Sequence, residues 1–160
     1  MLLQLRALIL LILLTPQVRA IGVETAVYVN IHKPASSSSI AIEYDKDTFI
    51  SIYRLEEQKF DDVVIPFRVV SSLTELNVNY NLALVYSQHV CDDIGIDVTT
   101  ELDGVRFSEG QTVYGIEFEN ENPTYRWNNH HINMSFPTIN MKKVEQRCVG
   151  NIGITVGLEI

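Results

Sequence analysis

An alternation of large apolar residues with smaller ones constrains the fold of this chain more than any other feature. A period of two puts every second side chain on the same side of a β-strand, whereas a helix would scatter those side chains around its surface. The pattern covers residues 76–86, with Leu76, Val78, Tyr80, Leu82, Leu84 and Tyr86. It returns at the C-terminus with Ile152, Ile154, Val156, Leu158 and Ile160, while Gly153 and Gly157 fall on the opposite face. Both segments therefore predict long strands with one buried face.

Shorter runs of β-branched and aromatic residues predict the remaining strands. They lie at residues 40–43, 49–53, 63–70, 94–99, 113–118 and 132–136, and Thr25, Val27, Val29 and Ile31 alternate near the N-terminus. About nine short strands separated by turn residues are typical of an immunoglobulin-like β-sandwich. We therefore expect an all-β fold with a single sandwich domain at residues 40–160. Residues 55–60 alone predict a short helical turn.

The first 20 residues have the layout of a secretory signal peptide. Arg6 supplies a positive charge before an unbroken apolar run at residues 7–14, and the segment ends on Ala20 after the helix-breaking Pro16. This order of charge, apolar run and small residue is typical of a cleaved export signal. The apolar run is shorter than the roughly 20 residues that span a bilayer. We expect an exported protein without membrane insertion, whose mature form begins at Ile21.

The mature chain is predicted to be strongly acidic. Removal of residues 1–20 takes Arg6 and Arg19 from the 12 basic residues and none of the 20 acidic ones, which leaves 140 residues with a net charge of −10. An acidic surface repels phosphate groups, so we expect neither nucleic acid nor an anionic membrane surface as a partner. Cationic partners remain open.

Two cysteines, Cys91 and Cys148, remain in the mature chain. In an oxidising compartment two cysteines usually pair, so the sequence predicts a disulfide. It would tie the end of the first alternating segment to the start of the last one. Closing so long a loop stabilises the fold by about 4 kcal/mol in the simple loop-entropy model. The spacing indicates a structural bond, because redox-active pairs lie close together in sequence.

The sequence offers no convincing catalytic or metal-binding group. His89, Cys91 and Asp92 contain the elements of an activated nucleophile, but the predicted disulfide removes the thiol. The acidic residues that follow Cys91 do not match the spacing of a calcium-binding loop. No phosphate-binding or hydrolase motif is present in the sequence. We therefore expect no catalytic residue, no metal and no cofactor, and the chain is not predicted to be an enzyme.

Residues 125–131 are the strongest candidate for a binding surface. Tyr125, Arg126, Trp127 and His130 combine stacking groups with hydrogen-bonding groups, as binding surfaces do. Alternatively, Tyr125 and Trp127 pack onto the core while their polar neighbours form a hairpin loop. The adjacent His130 and His131 would point to opposite faces of a strand, which argues against a shared metal.

The export signal, the single β-domain and the alternating strands at both ends resemble a fimbrial (pilus) subunit of the chaperone–usher class. The resemblance implies an incomplete immunoglobulin-like sandwich whose missing strand comes first from a periplasmic chaperone. The N-terminal extension of a neighbouring subunit later replaces it, by β-strand addition. It further implies an usher as a partner, a route through the periplasm to a cell-surface fimbria, and a role in adhesion in which a host receptor is an open candidate.

The resemblance also assigns roles along this sequence. It makes residues 21–39 an N-terminal extension that ends in a hinge at residues 33–39. The donor-strand side chains would be Thr25, Val27, Val29 and Ile31, and the strand bordering the acceptor groove would carry Ile152, Ile154, Val156, Leu158 and Ile160. Alternatively, residues 25–31 form an ordinary first strand that completes the chain's own sheet.

Three functions follow from these patterns. The first is an exported structural or adhesive subunit of a bacterial surface fimbria, assembled by strand donation. The second is a self-sufficient secreted β-sandwich that binds a receptor or small ligand, which requires a closed sheet and a pocket. The third is a hydrolase or metal enzyme, which requires polar residues that converge only in space.

Overall fold

The structure, a computed structural model, describes residues 24–31, 39–74, 78–140, 142 and 146–159 of the 160-residue chain. The predicted signal peptide, residues 21–23 and 32–38 of the predicted extension and hinge, Leu76 and Ile160 lie outside these residues. Thirteen strands form in the described part: β1 Glu24–Ile31, β2 Ile40–Glu43, β3 Thr48–Arg54, β4 Lys59–Phe60, β5 Val63–Ser71, β6 Asn79–Cys91, β7 Ile94–Gly95, β8 Thr99–Leu102, β9 Val105–Arg106, β10 Thr112–Ile116, β11 Asn120–Glu121, β12 Arg126–Ser135 and β13 Cys148–Glu159. None of the described residues belongs to a helix long and apolar enough to cross a membrane.

The strands form two sheets. The first has the order β10-β6-β13-β1-β3-β4, with β7 paired to β6. The second has the order β2-β5-β12-β8-β9, with β11 paired to β12. Strands β1 and β13 are parallel, and the other ladders in the described residues are antiparallel. The prediction of an all-β sandwich is confirmed.

One apolar core joins the two sheets. Tyr80, Leu82 and Leu84 of β6 contribute to it from the first sheet, and Ile65 and Val69 of β5 contribute from the second. Strand β5 alternates buried and exposed residues along its length, so one of its faces belongs entirely to this core. Each such side chain contributes about 1.5–3 kcal/mol by leaving water.

Strand β6 changes its buried face at a β-bulge. Its register with β13 shifts so that Val85 has no opposite residue, and beyond this point His89 and Cys91 are buried. Tyr86 instead lies against Gly153, where an added Cβ would be 2.4 Å from the Tyr86 ring. The prediction that Tyr86 shares the buried face of Leu84 is therefore wrong. A single extra residue in one strand inverts the alternation that follows it.

Several strand boundaries differ from the prediction. Residues 94–99 divide between β7 and β8. Residues 55–58 form a turn rather than a helical turn, and β4 follows directly. Strand β12 begins at Arg126, so the predicted strand at residues 132–136 covers only its second half. The hairpin-loop interpretation of residues 125–131 is wrong, because the polar residues of β12 alternate across the sheet and the buried Asn128 is hydrogen-bonded.

The predicted disulfide is present. Cys91 and Cys148 are bonded and occupy directly opposite positions of β6 and β13. Both are buried in the core. The bond ties the two long alternating strands together at one end, as the sequence predicts.

Candidate functional site

The position of β1 between two other strands defines the first candidate site. Residues 25–31 pair in parallel with residues 148–154 of β13. Residues 24–28 pair antiparallel with residues 48–52 of β3. Within the described strands, β13 and β3 make no ladder with each other, so β1 alone connects β3 and β4 to the rest of the first sheet. We call the space that β1 fills between β13 and β3 the strand slot.

The predicted donor-strand positions lie opposite buried residues. Thr25, Val27, Val29 and Ile31 pair in register with Cys148, Gly150, Ile152 and Ile154, respectively. All four of these β13 residues are buried. Positions in register on neighbouring strands form one cross-strand row, so the four positions of β1 continue the row of these buried β13 residues. Donation of this strand to another subunit stays a prediction, since β1 pairs here with its own chain.

The predicted acceptor strand corresponds to β13. Ile152 and Ile154 are fully buried, and Val156 and Leu158 are partly buried against the core. The ladder with β1 ends at Ile154, whereas the ladder with β6 continues to Glu159. Among the described strands, residues 155–159 therefore have a ladder partner on one side only.

A buried histidine lies beside β13, on the β6 side of that strand. His89 lies against Gly150, where an added Cβ would be 2.0 Å from its Nδ1 atom, so β13 needs glycine at this position. Its Nε2 atom is 2.9 Å from the hydroxyl of Ser87. Burial lowers the pKa of His89 to about 4. The imidazole is therefore neutral at pH 7 and acts as a polar core residue.

The acidic turn after Cys91 holds the segment before Cys148. The carboxylate of Asp92 accepts hydrogen bonds from the Arg147 N–H at 3.0 Å and from Gln146 Nε2 at 3.3 Å. The Arg147 N–H is the main reason why the pKa of Asp92 is lowered. Through these hydrogen bonds Asp92 stabilises the chain beside the disulfide. In the part of the chain that the structure describes, no three His, Cys, Asp or Glu side chains form a group that could hold a metal ion.

The predicted binding surface is divided between two sides of the second sheet. Tyr125 is 47% exposed, and Trp127 is half-buried on the side away from the core. Arg126 lies over the ring of Phe118, 5.8 Å from its centroid. The His130 side chain is 8% exposed and lies between the sheets. Alternation along β12 separates these residues, so Tyr125 and Trp127 form one surface and Arg126 and His130 belong to the interior.

His130 belongs to a hydrogen-bonded chain that crosses the core. Its Nδ1 is 2.6 Å from the Asp103 carboxylate, and its Nε2 is 2.6 Å from the Tyr80 hydroxyl. Because a carboxylate only accepts, Nδ1 donates its proton to Asp103. The hydroxyl in turn accepts from Asn128 Nδ2 at 2.9 Å. Burial raises the pKa of Tyr80, which keeps the phenol protonated as a donor.

Asn128 completes this chain. Its Nδ2 also donates to the Glu117 carbonyl at 2.7 Å, and its Oδ1 accepts from the Glu119 N–H at 2.7 Å. The network links β6 of one sheet to β12 of the other. Sequence reasoning did not find Tyr80, Asp103 and Asn128 as partners of His130, because they come from different strands and their spacing forms no motif.

A cavity of about 480 Å³ adjoins this network, with residues of β9 and β10 in its lining. Leu102, Phe107 and Ile116 supply apolar walls, and Asn128 and His130 supply a polar end. This volume lies within the range of small-molecule sites. The cavity is therefore a second candidate site.

Comparison with known proteins finds similarity only among solved structures. No family model matches the sequence, and no curated protein matches it. Among solved structures, the chain is similar to the CooA pilin subunit from enterotoxigenic Escherichia coli, with a TM-score of 0.42 and 9% sequence identity. The match covers 63% of this chain and 84% of that chain. Similarity at this level identifies neither a family nor an activity.

Proposed function

We propose that this chain is an exported subunit of a bacterial surface fimbria, structural or adhesive in role, joined to its neighbours by β-strand donation. The observation that carries the proposal is the strand slot, in which β1 is the only ladder connection between β13 and β3 within the described strands. The proposed partners are a periplasmic chaperone, an usher and neighbouring subunits. The chain would pass through the periplasm to the cell surface.

The strand slot supports this proposal because backbone hydrogen bonds to β13 and β3 hold β1 in it. Without β1, residues 48–52 of β3 would lose their ladder partner, and residues 148–154 of β13 would keep β6 on one side and have an open edge on the other. Open edges beside buried apolar rows readily pair with another strand. The main-chain hydrogen bonds do not depend on which chain supplies that strand, so the extension of a neighbour can replace β1.

The sequence between β1 and β2 fits such an exchange. Residues 33–39 contain Pro34, then Ala35, then four consecutive serines. A serine-rich composition is typical of linker sequences. A strand that precedes such a linker can pair within its own chain or with a second copy, which is the geometry of domain swapping.

The association state of the purified mature chain tests the proposal. We expect residues 21–160 to form multimers that resist SDS, and a truncated protein that lacks residues 21–34 to form none. A synthetic peptide of residues 21–34, added to the truncated protein, should restore its cooperative melting by filling the slot. A multimer that persists without residues 21–34 would contradict strand donation.

A second candidate function is a self-sufficient secreted binding domain. Two observations favour it: β1 pairs with strands of its own chain, and a cavity of about 480 Å³ lies beside the core network. On this hypothesis residues 21–160 form a monomer with a single cooperative melting transition, and removal of residues 21–34 unfolds it. The same experiment therefore separates the two candidates.

A further inference from the structure

The outer face of the second sheet carries a small recess with aromatic and charged walls. Antiparallel pairing aligns Trp127 with Val70, and Val70 with Ala41, in one cross-strand row. The next row aligns Asn129 with Arg68, and Arg68 with Glu43. Between these rows lies a recess of about 230 Å³, lined by Glu43, Arg68, Val70, Asn122, Tyr125 and Trp127.

Tyr125 and Trp127 form the aromatic wall, and hydrogen bonds of a hairpin hold the backbone that carries them. Asn122 Oδ1 accepts hydrogen bonds from the N–H groups of Thr124 and Tyr125, both at 2.8 Å, and the Asn122 N–H donates to the Tyr125 carbonyl. Trp127 lies on β12 itself, and its carbonyl accepts from Asn120 Nδ2 at 3.2 Å. Tyr125 is nevertheless 47% exposed. An aromatic side chain that projects from a hydrogen-bonded backbone and remains open to solvent is suited to stacking on a ligand.

The polar wall presents a donor and an acceptor side by side. Arg68 Nε and Nη2 both donate to Glu43 Oε2, at 3.1 and 2.5 Å. In the described part of the chain, this pairing leaves Nη1 of the guanidinium and Oε1 of the carboxylate available to a ligand. A pair of neighbouring hydroxyl groups can accept a hydrogen bond from Nη1 and donate one to Oε1. Both side chains are about half exposed, so they are accessible.

We propose that this recess binds a neutral saccharide. The apolar C–H face of a pyranose ring fits against Tyr125 and Trp127, and its adjacent hydroxyls fit the Arg68–Glu43 pair. A neutral sugar is favoured over an acidic one because Glu43 already compensates the charge of Arg68, and Asp45 lines the adjoining recess. The proposal is independent of strand donation, since no residue of β1, β3 or β13 lines this recess.

The single tryptophan of the chain makes the test direct, because Trp127 lies in the recess. The full mature chain is titrated with the methyl glycosides of galactose, glucose and mannose, with 3′-sialyllactose, and with a basic proline-rich peptide. We expect at least one neutral glycoside to change the emission of Trp127 saturably and more strongly than 3′-sialyllactose. Absence of a saturable change with every neutral glycoside, or a change with the peptide alone, would overturn the proposal.

Matched variants assign the binding to this recess. Glu43→Gln and Arg68→Gln should each weaken the apparent affinity about tenfold, the effect of losing one charge-assisted hydrogen bond. Tyr125→Ser should weaken it through lost stacking. Arg54→Gln is the control, because Arg54, at the end of β3, forms a similarly exposed two-bond ion pair with Asp61 and lies outside the recess. Equal affinities of all four variants and the wild type would refute the site, provided that their melting curves show folded protein.

Discussion

The buried imidazole of His89 makes the stability of this protein depend on pH in a defined direction. Burial lowers its pKa from 6.5 to about 4 in the folded state, whereas in the unfolded chain the ring is exposed to water and keeps its ordinary value. Between these two pH values the unfolded state binds a proton that the folded state does not. The free energy of unfolding therefore falls as the pH decreases from 6.5 to about 4, and is unaffected by His89 above that window.

The size of this decrease in the free energy of unfolding follows from the difference between the two pKa values. At about 1.4 kcal/mol for each pKa unit, lowering the pKa from 6.5 to about 4 corresponds to about 3 kcal/mol. That is a large part of the roughly 5–15 kcal/mol that stabilises a typical domain. Urea unfolding followed by circular dichroism at pH 7.5 and pH 4.5 should show most of this loss.

The variant His89→Gln isolates the contribution, because an amide cannot take up the proton. We expect its free energy of unfolding to change little between the two pH values, whatever its absolute stability. The control His131→Gln removes a side chain that is 47% exposed and leaves His89 in place, so it should keep the full decrease. The lowered pKa values of Asp61, bonded to Arg54, and Asp92, bonded to the Arg147 N–H, remove stability mainly at more acidic pH. Equal pH dependence in His89→Gln and the wild type would refute the reasoning.

Three further substitutions have defined outcomes. Val29→Asp, opposite the buried Ile152, should abolish SDS-resistant multimers, because a charge placed beside a buried apolar residue costs several kcal/mol. Ala26→Asp, opposite the partly exposed Val149, should retain them, and equal multimer yields would argue against the register. Cys148→Ser should lower the export yield and the free energy of unfolding, the latter by about 2–5 kcal/mol, and unchanged melting would contradict a stabilising disulfide. Asn128→Ala should lower the free energy of unfolding by about 2–4 kcal/mol, since Tyr80, Glu117 and Glu119 each lose a hydrogen-bond partner. A decrease below about 1 kcal/mol in urea unfolding would show that water replaces the amide.

Periodicity predicts the long strands of this fold well, because it reflects burial directly. Leu82, Leu84, Ile152 and Ile154 are buried as expected. Tyr86 is the exception, and its reason is the bulge at Val85, whose position depends on pairing with β13. A sequence of one strand contains no information about where its partner skips a residue.

The polar sites were less accessible to prediction. The Asn-Asn-His-His segment of β12 has the composition of a loop, but the buried Asn128 is satisfied by groups of β6 and of the chain before β11. The Arg68–Glu43 pair forms only when β2 aligns with β5. Such contacts join residues far apart in sequence, so neither strand propensity nor residue spacing predicts them. The aromatic character of Tyr125 and Trp127 was the one local signal for the recess.

The ladder between β1 and β13 also determines the order in which this chain can fold. The second strand of that ladder is separated from the first by most of the sequence. Contacts between distant residues form slowly, because the intervening chain must first be brought into a loop. Synthesis runs from the N-terminus, so the ribosome makes β1 long before it makes β13. Completion of the first sheet is therefore a late event: β1 can pair with β3 early, but its parallel ladder needs the last residues of the chain.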